Sequence, residues 1–309
     1  MGNHHDHHGP DLSAGNLTAA HLGNHVRNFG LAAAALLGFG IWSGTRSGGF
    51  EHFARAYLVC MMFALAICLG ATFFVVVQHL TRAGWSVVVR RPAEAIASNL
   101  QWLWLGFLPI AWMWFNGRLD SLFPWANLDH LREVAPAEAT NVAKKVAFLN
   151  PNFFMIRAVV YLLVWRTLAA FYCGNSAAQD ADRSVARSER MSKWAGPSAI
   201  VFGLTVTFAA FDWMMSLNPT WFSTMFGVYF FAACCAGGFS TIALTCLRVQ
   251  QRGLMREVIT PEHYQDLGKL LFGFGIVFWA YIAFSQFMLI WYGNLPEETA
   301  WYLPRQVGG

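Results

Sequence analysis

Charged residues are scarce in this sequence. Only 12% of its 309 residues are Asp, Glu, Lys or Arg, and 56% are hydrophobic, whereas soluble domains are about 25% charged. A soluble protein of this size could not bury so much apolar surface. The net charge of +4 does not indicate a nucleic-acid partner, because Lys and Arg collect in the cytoplasmic loops of membrane proteins. The composition therefore predicts an all-α polytopic membrane protein that lies in a lipid bilayer.

The sequence also lacks the motifs that hold redox centres. Its six cysteines lie in apolar runs, and none forms a C-x-x-C pair or an iron–sulfur spacing. We interpret them as small buried hydrophobic residues. Haem b needs two inward-facing histidines at matching depth, but His79 is the only histidine within or at the end of an apolar segment. We therefore expect no covalently bound cofactor, haem or cluster in this chain.

Seven apolar segments have roughly the ~20 residues that a membrane span requires. They are Val26–Ser43, Ala56–Gln78, Ser98–Phe115, Phe153–Gly174, Pro197–Leu217, Phe222–Leu247 and Leu270–Tyr292. We predict a transmembrane helical bundle over residues 26–302, a disordered, polar, His-rich tail at 1–25 and a short tail at 303–309. No metal site is expected in the N-terminal tail, because a floppy segment offers no outer shell to orient the ligands.

The basic residues of the loops predict the orientation. With the N-terminus inside the cell, twelve Lys and Arg residues fall in inside segments and seven in outside segments, which favours a cytoplasmic N-terminus. The longest loop, Asn116–Asn152, then lies outside. Its Pro136 start and Lys144–Lys145 end predict a short helix. This loop is either a cap over the bundle or a docking surface for an external partner.

Two charged residues inside predicted spans are the leading candidates for a functional site. Asp212 lies in an apolar and aromatic run, where an ionisable group costs roughly 2.5–3.5 kcal/mol on insertion scales. At 1.5 Å per residue, Arg157 lies about 6 Å and Asp212 about 7 Å from the same membrane edge. We predict an Asp212–Arg157 ion pair, which is either static or linked to a proton or a ligand.

Two further polar residues are weaker candidates for an intramembrane proton path. Arg166 lies nine residues after Arg157, on the opposite helix face and at a depth without a carboxylate. Thr241, Thr245 or a carbonyl of the sixth span is expected to receive it, unless its side chain snorkels to the interface. His79 ends the second span at the inner edge and is either a proton relay or an interfacial polar residue.

Three residues are weak candidates for quinone binding. Gln286 lies in the seventh span, where its amide either donates to a ligand carbonyl or forms an interhelical hydrogen bond. Trp213 and Trp291 lie near span ends. Their flat rings suit a quinone, but they also suit the aromatic belt of an ordinary membrane protein. The sequence leaves these alternatives open.

Five strings of residues resemble one known family. They are WSVVVRR at Trp85–Arg91, FLNPNFFMIR at Phe148–Arg157, FDWMMSL at Phe211–Leu217, WFSTMFGVY at Trp221–Tyr229 and FSQFMLIWYGNLPEETAWY at Phe284–Tyr302. Together they resemble the F-subunit family of alternative complex III, a bacterial quinol:electron-acceptor oxidoreductase. That family is distantly related to the NrfD and polysulfide-reductase membrane subunits. The resemblance extends over nearly all of Ala56–Tyr302.

The resemblance implies an NrfD-like four-helix-bundle architecture in a bacterial inner membrane. It implies a subunit without a redox centre, beside a C-type quinol subunit, an iron–sulfur subunit and haem c subunits that carry the electrons. Its role would be quinone-linked proton translocation or complex assembly, with menaquinone or ubiquinone as a candidate ligand. Asp212 matches the outer-side motif of the family, and Arg157 matches its intramembrane arginine. Whether this subunit itself takes part in catalysis stays open.

Two features depart from the family pattern. Family members have about ten spans, so we expect this chain to lack C-terminal spans. The turn Asn218–Thr220 carries neutral residues where the family has an acidic residue and a histidine, which would weaken a proton path there. Two alternatives come from other classes. One is a secondary transporter whose substrate pathway contains Asp212 and Arg166, and the other is a purely structural membrane anchor.

Overall fold

The computed structural model of the chain describes residues 23–46 and 49–307, and these residues form helices and turns without a β-strand. The helices are α1 (Gly23–Arg46), α2 (Phe50–Leu80), α3 (Val87–Ser98), α4 (Leu108–Phe115), α5 (Leu128–Val134), α6 (Pro136–Ala143), α7 (Pro151–Asp182), α8 (Val185–Trp213), α9 (Phe226–Gln251), α10 (Pro261–Leu270), α11 (Phe278–Gly293), α12 (Pro296–Thr299) and α13 (Leu303–Val307). A π-helical stretch, Leu271–Val277, joins α10 to α11 without a break.

At both ends of the described part, helices extend into residues that were predicted to be tails. Residues 23–25, which were predicted to belong to the disordered tail, are helical, and residues 1–22 lie outside the described part. At the other end, residues 303–307 form α13 rather than a tail. The apolar pattern marks only the stretch that could cross a membrane, whereas a helix continues past it for as long as its backbone hydrogen bonds can form.

Five of the described helices are long and apolar enough to cross a membrane: Phe50–Leu80, Pro151–Asp182, Val185–Leu217, Phe226–Gln251 and Pro261–Gly293. They correspond to five of the seven predicted spans and are those of an all-α membrane protein. The first and third predicted spans correspond to shorter apolar helical stretches, Gly30–Gly44 and Leu103–Phe115. A count of seven crossings therefore stays a prediction.

The third predicted span is part of a longer, broken helical segment, Val87–Phe115, in which short 3-10 turns separate α3 from α4. Near its start Glu94 accepts a hydrogen bond from Ser176 (2.6 Å), and at its end Trp114 donates one to Asn152 (3.3 Å). These two α7 residues are about 36 Å apart along the helix. The segment therefore runs antiparallel to α7 over a distance that would cross a bilayer.

The alternating helices give the bundle two ends. We call the end at which α8 finishes the Asp212 end, and the end at which α2 finishes the His79 end. The loop between α4 and α7 covers the Asp212 end with the predicted helix, α6, and with α5. Its Phe123 and Trp125 are buried against Phe154 of α7, with ring centroids 5.1 and 5.4 Å away. The loop is thus a packed cap.

Glycines allow α9 to pack directly against α2. A Cβ at Gly70 would lie 1.9 Å from the carbonyl oxygen of Cys234, and one at Gly238 would lie 2.6 Å from the Gly70 backbone. A Cβ at Gly227 would likewise lie 2.5 Å from Thr207 of α8. Small residues permit this close approach of backbones in membrane bundles, where dispersion forces replace the hydrophobic effect between helices. The position of α9 in the bundle depends on these glycines.

We expect Gly238→Ala to lower the thermal unfolding temperature, because the added methyl group must push α2 and α9 apart. Overpacking of this kind costs roughly 1–3 kcal/mol of stability. Gly203→Ala is the matched control, since Gly203 lies in α8 with nothing within 4 Å of its added Cβ. That control should be neutral or more stable by up to about 1 kcal/mol. Thermal unfolding of both variants in the same detergent makes the comparison, and equal shifts would contradict the packing.

Candidate functional site

Arg157 of α7 and Asp212 of α8 form a bidentate ion pair in the core near the Asp212 end. Nε of Arg157 donates to Oδ2 at 2.8 Å, and Nη2 donates to Oδ1 at 2.7 Å. Asp212 is fully buried and only 8% of Arg157 is exposed. The ion pair that the sequence predicted is therefore confirmed, and its functional role stays a prediction.

The other polar atoms of the pair also have partners. Nη1 of Arg157 donates to the carbonyl oxygen of Phe148 at 3.0 Å, and the Tyr161 hydroxyl donates to Oδ2 of Asp212 at 2.7 Å. The guanidinium carbon lies 3.9 Å from the ring centroid of Phe148 and 4.3 Å from that of Phe153. Both carboxylate oxygens and all three guanidinium nitrogens are thus occupied. Every one of these atoms has a hydrogen-bond partner inside the protein, which is the geometry of a static pair.

Local sequence signals place both partners. Asn150 caps α7 by accepting a hydrogen bond from the Phe153 amide (2.9 Å), and Pro151 occupies the first turn, so that α7 begins about two turns before Arg157. At the end of α8, the Ser216 hydroxyl donates to the backbone carbonyl of Asp212. The helix start and the helix end therefore put the two charges at the same level.

The capping loop also contacts the turn between α8 and α9. Nζ of Lys145 donates to the carbonyl oxygen of Pro219 at 2.8 Å and lies 5.4 Å from the ring centroid of Phe222. Burial lowers the pKa of Lys145. The predicted turn therefore lies under the cap.

Buried polar side chains continue from the ion pair along one face of α7. They are Arg157, Tyr161, Trp165, Tyr172 and Ser176. The Trp165 indole donates to Thr205 (3.0 Å), and the Tyr172 hydroxyl donates to Ser198 (3.0 Å). An indole nitrogen is a donor only, and buried Ala169 follows Trp165 on this face. These side chains alone do not form a continuous proton wire.

A second charged cluster, at the His79 end, was missed by the sequence analysis. Glu94 is 3% exposed and lies 3.3 Å from Arg90 and 3.5 Å from Arg91, and Ser176 donates to it. Arg91 also contacts Asp180 of α7 at 2.5 Å. The available signal was the spacing of Arg90 and Arg91 to Glu94, since residues three and four apart are neighbours on a helix. The two arginines were instead used only as indicators of orientation and as part of the string Trp85–Arg91.

His79 is buried at the end of α2 rather than at an exposed interface. Its ring stacks on Tyr172 with centroids 5.4 Å apart, and its Nε2 finds no hydrogen-bond partner within the described ranges. It borders a cavity of about 300 Å³ whose polar wall includes Arg82, Arg90 and Ser188. A proton-relay role for His79 stays a prediction.

Arg166 lies on the outer surface of α7, away from the ion pair. It is exposed and makes no hydrogen bond or ion pair with the part of the chain that the structure describes. The expectation that Thr241, Thr245 or a carbonyl of the sixth span receives it is wrong, since Arg166 makes no such bond. The two threonine hydroxyls donate to carbonyls of their own helix at 2.7 Å. Short hydroxyl side chains in a helix often bond to the preceding turn in this way.

The three quinone candidates are not brought together. Gln286 is half-buried and lines a cleft of about 420 Å³ near the Asp212 end, with Tyr281, Ser285 and Trp221. Trp213 is fully buried beside Tyr161 and Trp165 in the core, whereas Trp291 is 64% exposed. Only Gln286 therefore borders a cavity that a ligand could enter.

Neither a protein-family model nor a curated protein matches this chain.

The ion pair yields a direct test of its structural role. Arg157→Met or Asp212→Leu should each cost about 3–5 kcal/mol of stability, because each leaves a buried charge without its partner. The double variant should cost much less than the sum, since it removes both charges. Thermal unfolding of the four proteins in one detergent measures the coupling. The exposed pair Glu51–Arg55 (3.7 Å) is the control, and Glu51→Gln should change stability by less than about 0.5 kcal/mol.

A second substitution at Asp212 distinguishes a static ion pair from a proton carrier. Asp212→Asn keeps the shape of the side chain and removes its charge. A static pair requires that this variant lose stability and assembly. An Asp212→Asn protein that keeps both, but has a lower rate of coupled proton transfer, would contradict the static interpretation.

Proposed function

We propose that this chain is an integral membrane subunit, without redox centres of its own, of a respiratory quinol:electron-acceptor oxidoreductase of the alternative complex III type. One observation carries the proposal: four of the five resembling strings, which come from three separate regions of the sequence, meet at the Asp212 end. Phe148–Arg157 and Phe211–Leu217 supply the ion pair and the rings around it. Trp221–Tyr229 and Phe284–Tyr302 pack together through a stack of Trp221 on Trp301, with centroids 4.1 Å apart.

Arg166 supports the proposal that the chain is a subunit rather than a solitary protein. It lies about 20 Å along α7 from Phe153, close to the middle of the apolar stretch, and an unpaired charge there is costly by at least ~2.5 kcal/mol. Helical side chains lean toward the helix N-terminus, so snorkelling toward the nearer, His79 end is disfavoured. A partner subunit that presents a carboxylate or free carbonyl groups would remove this cost.

The cleft beside Gln286 is the place we propose for a quinone headgroup. The Gln286 amide and the Tyr281 hydroxyl are donors for quinone carbonyls, and Trp221 and Phe222 offer flat apolar walls. Menaquinone and ubiquinone both present this carbonyl chemistry. The iron–sulfur cluster and haem c groups of such a complex would belong to its other subunits, beside the C-type quinol subunit.

The buried, fully partnered side chains of Arg157 and Asp212 favour a role in assembly over a role in proton translocation. The finer architecture follows from the same proposal: an NrfD-like bundle with seven crossings, in which α1 is the first and Val87–Phe115 the third. The positive-inside bias then puts the His79 end and the N-terminus in the bacterial cytoplasm.

A secondary transporter is a second candidate, because Val87–Phe115 is a discontinuous helix of the kind that lines substrate sites. Asp212 faces the core and Arg166 faces outward, however, so these two residues do not line one internal pathway. A purely structural anchor is favoured if every buried charge proves replaceable.

The proposed membership of a complex predicts a coloured, active assembly. A tagged chain purified from its native membranes in mild detergent should co-elute with c-type haem absorbance and with quinol-oxidation activity. A colourless, inactive protein that elutes alone would contradict the proposal and favour the secondary-transporter function. Purification of the same tag on an unrelated membrane protein controls for haem proteins that bind non-specifically.

The proposed contact of Arg166 with a partner subunit can be tested separately. Arg166→Glu should release partner subunits from the purified chain, because it places a negative charge opposite the acceptor that we propose. Arg55→Glu is the control, since Arg55 is also exposed but lies in the first turns of α2. Subunit yield per tagged chain, measured by quantitative mass spectrometry, should fall at least fivefold for the first variant only. Full retention of subunits in Arg166→Glu would contradict a contact at this position.

A further inference from the structure

A cleft of about 540 Å³ lies between α3 and α9 at the His79 end. Its walls are mostly apolar and include Leu244 and Met255, and Arg91, Arg248 and Arg252 stand around it. The cleft shares no residue with the ion pair or with the cavity beside His79. A hydrophobic groove with a basic rim is a feature that neither the resemblance nor the proposed function explains.

Two of the three arginines at the rim have no acidic partner among the described residues. Arg248 lies in the last turn of α9 and Arg252 directly follows the helix. Both are exposed, and neither forms an ion pair with any described residue. Arg91 differs, because Glu94 and Asp180 share its guanidinium. Arg248 and Arg252 therefore offer free donors for an anion.

The same face of α9 continues from the arginines into apolar surface. Thr241, Leu244 and Thr245 line the cleft on the side that leads toward the middle of the helix. Leu244 is 57% exposed, and the two threonine hydroxyls donate to their own helix. An extended hydrocarbon chain can lie along this surface without burying an unsatisfied donor.

We propose that this cleft binds one anionic phospholipid, whose phosphate contacts Arg248 and Arg252 and whose acyl chain lies along Leu244. Arginine pairs with phosphate through two parallel hydrogen bonds, and basic pockets between membrane helices on one side of a bundle suit anionic headgroups. A zwitterionic headgroup would bring its own cation beside the two arginines. Free phosphate would leave the apolar walls unused. The proposal does not depend on the quinol oxidoreductase function.

Native mass spectrometry of the purified chain, alone or in its complex, tests the proposal with phosphatidylglycerol and phosphatidylcholine of identical acyl chains. We expect at least tenfold tighter binding of phosphatidylglycerol to the natural protein. Arg248→Gln/Arg252→Gln should remove most of this preference. The control Lys193→Gln/Arg256→Gln removes the same charge from exposed residues at the same end and should change binding by less than twofold.

Two further measurements separate the sources of the phosphate group. Leu244→Glu should weaken phosphatidylglycerol binding while leaving the arginines in place, and inorganic phosphate should bind at least tenfold more weakly than the lipid. Phosphatidylglycerol should raise the unfolding temperature of the natural protein but not of the double arginine variant. Equal binding of both lipids, equal losses in the control variant, or phosphate binding as tight as lipid binding would overturn the proposal.

Discussion

The Arg157–Asp212 ion pair constrains how α7 and α8 pack. A charge buried in an apolar interior is tolerated only with a partner and with its remaining hydrogen bonds made, and here Tyr161 and the Phe148 carbonyl make them. A shift of one residue along either helix, about 1.5 Å, would break this arrangement. Because Phe148 belongs to the loop over the Asp212 end, the pair also fixes the cap.

The two ends of the bundle differ in their polar chemistry. At the Asp212 end the buried charges of Arg157 and Asp212 neutralise each other. Aromatic rings enclose Arg157, and the cap covers the pair. At the His79 end Glu94 is buried among arginines, His79 has an unpartnered nitrogen, and two cavities with basic walls open nearby. The Asp212 end thus combines a rigid ion pair with the cleft beside Gln286, whereas the cavities of the His79 end have basic walls that suit anionic ligands or lipids.

Much of the fold could be predicted from the sequence, since apolar runs of span length mark where helices must satisfy their own backbone hydrogen bonds. The broken segment Val87–Phe115 was partly missed, because Arg90, Arg91 and Glu94 interrupt its hydrophobic pattern. Those charges neutralise one another once α3 packs on α7. The ion pair was predictable because only one carboxylate lies at the depth of Arg157 in the predicted spans.

The sequence by itself determined the class of protein, most helix positions and the pairing of Arg157 with Asp212, because these follow from composition, periodicity and depth along a helix. Only the tertiary structure decided which face each side chain presents to its neighbours. It buried Trp213, left Arg166 outside and put Gln286 at a cleft. The rotation of a helix about its own axis depends on contacts between distant segments, such as Gly70 with Gly238, and the spacing within one segment does not contain that information.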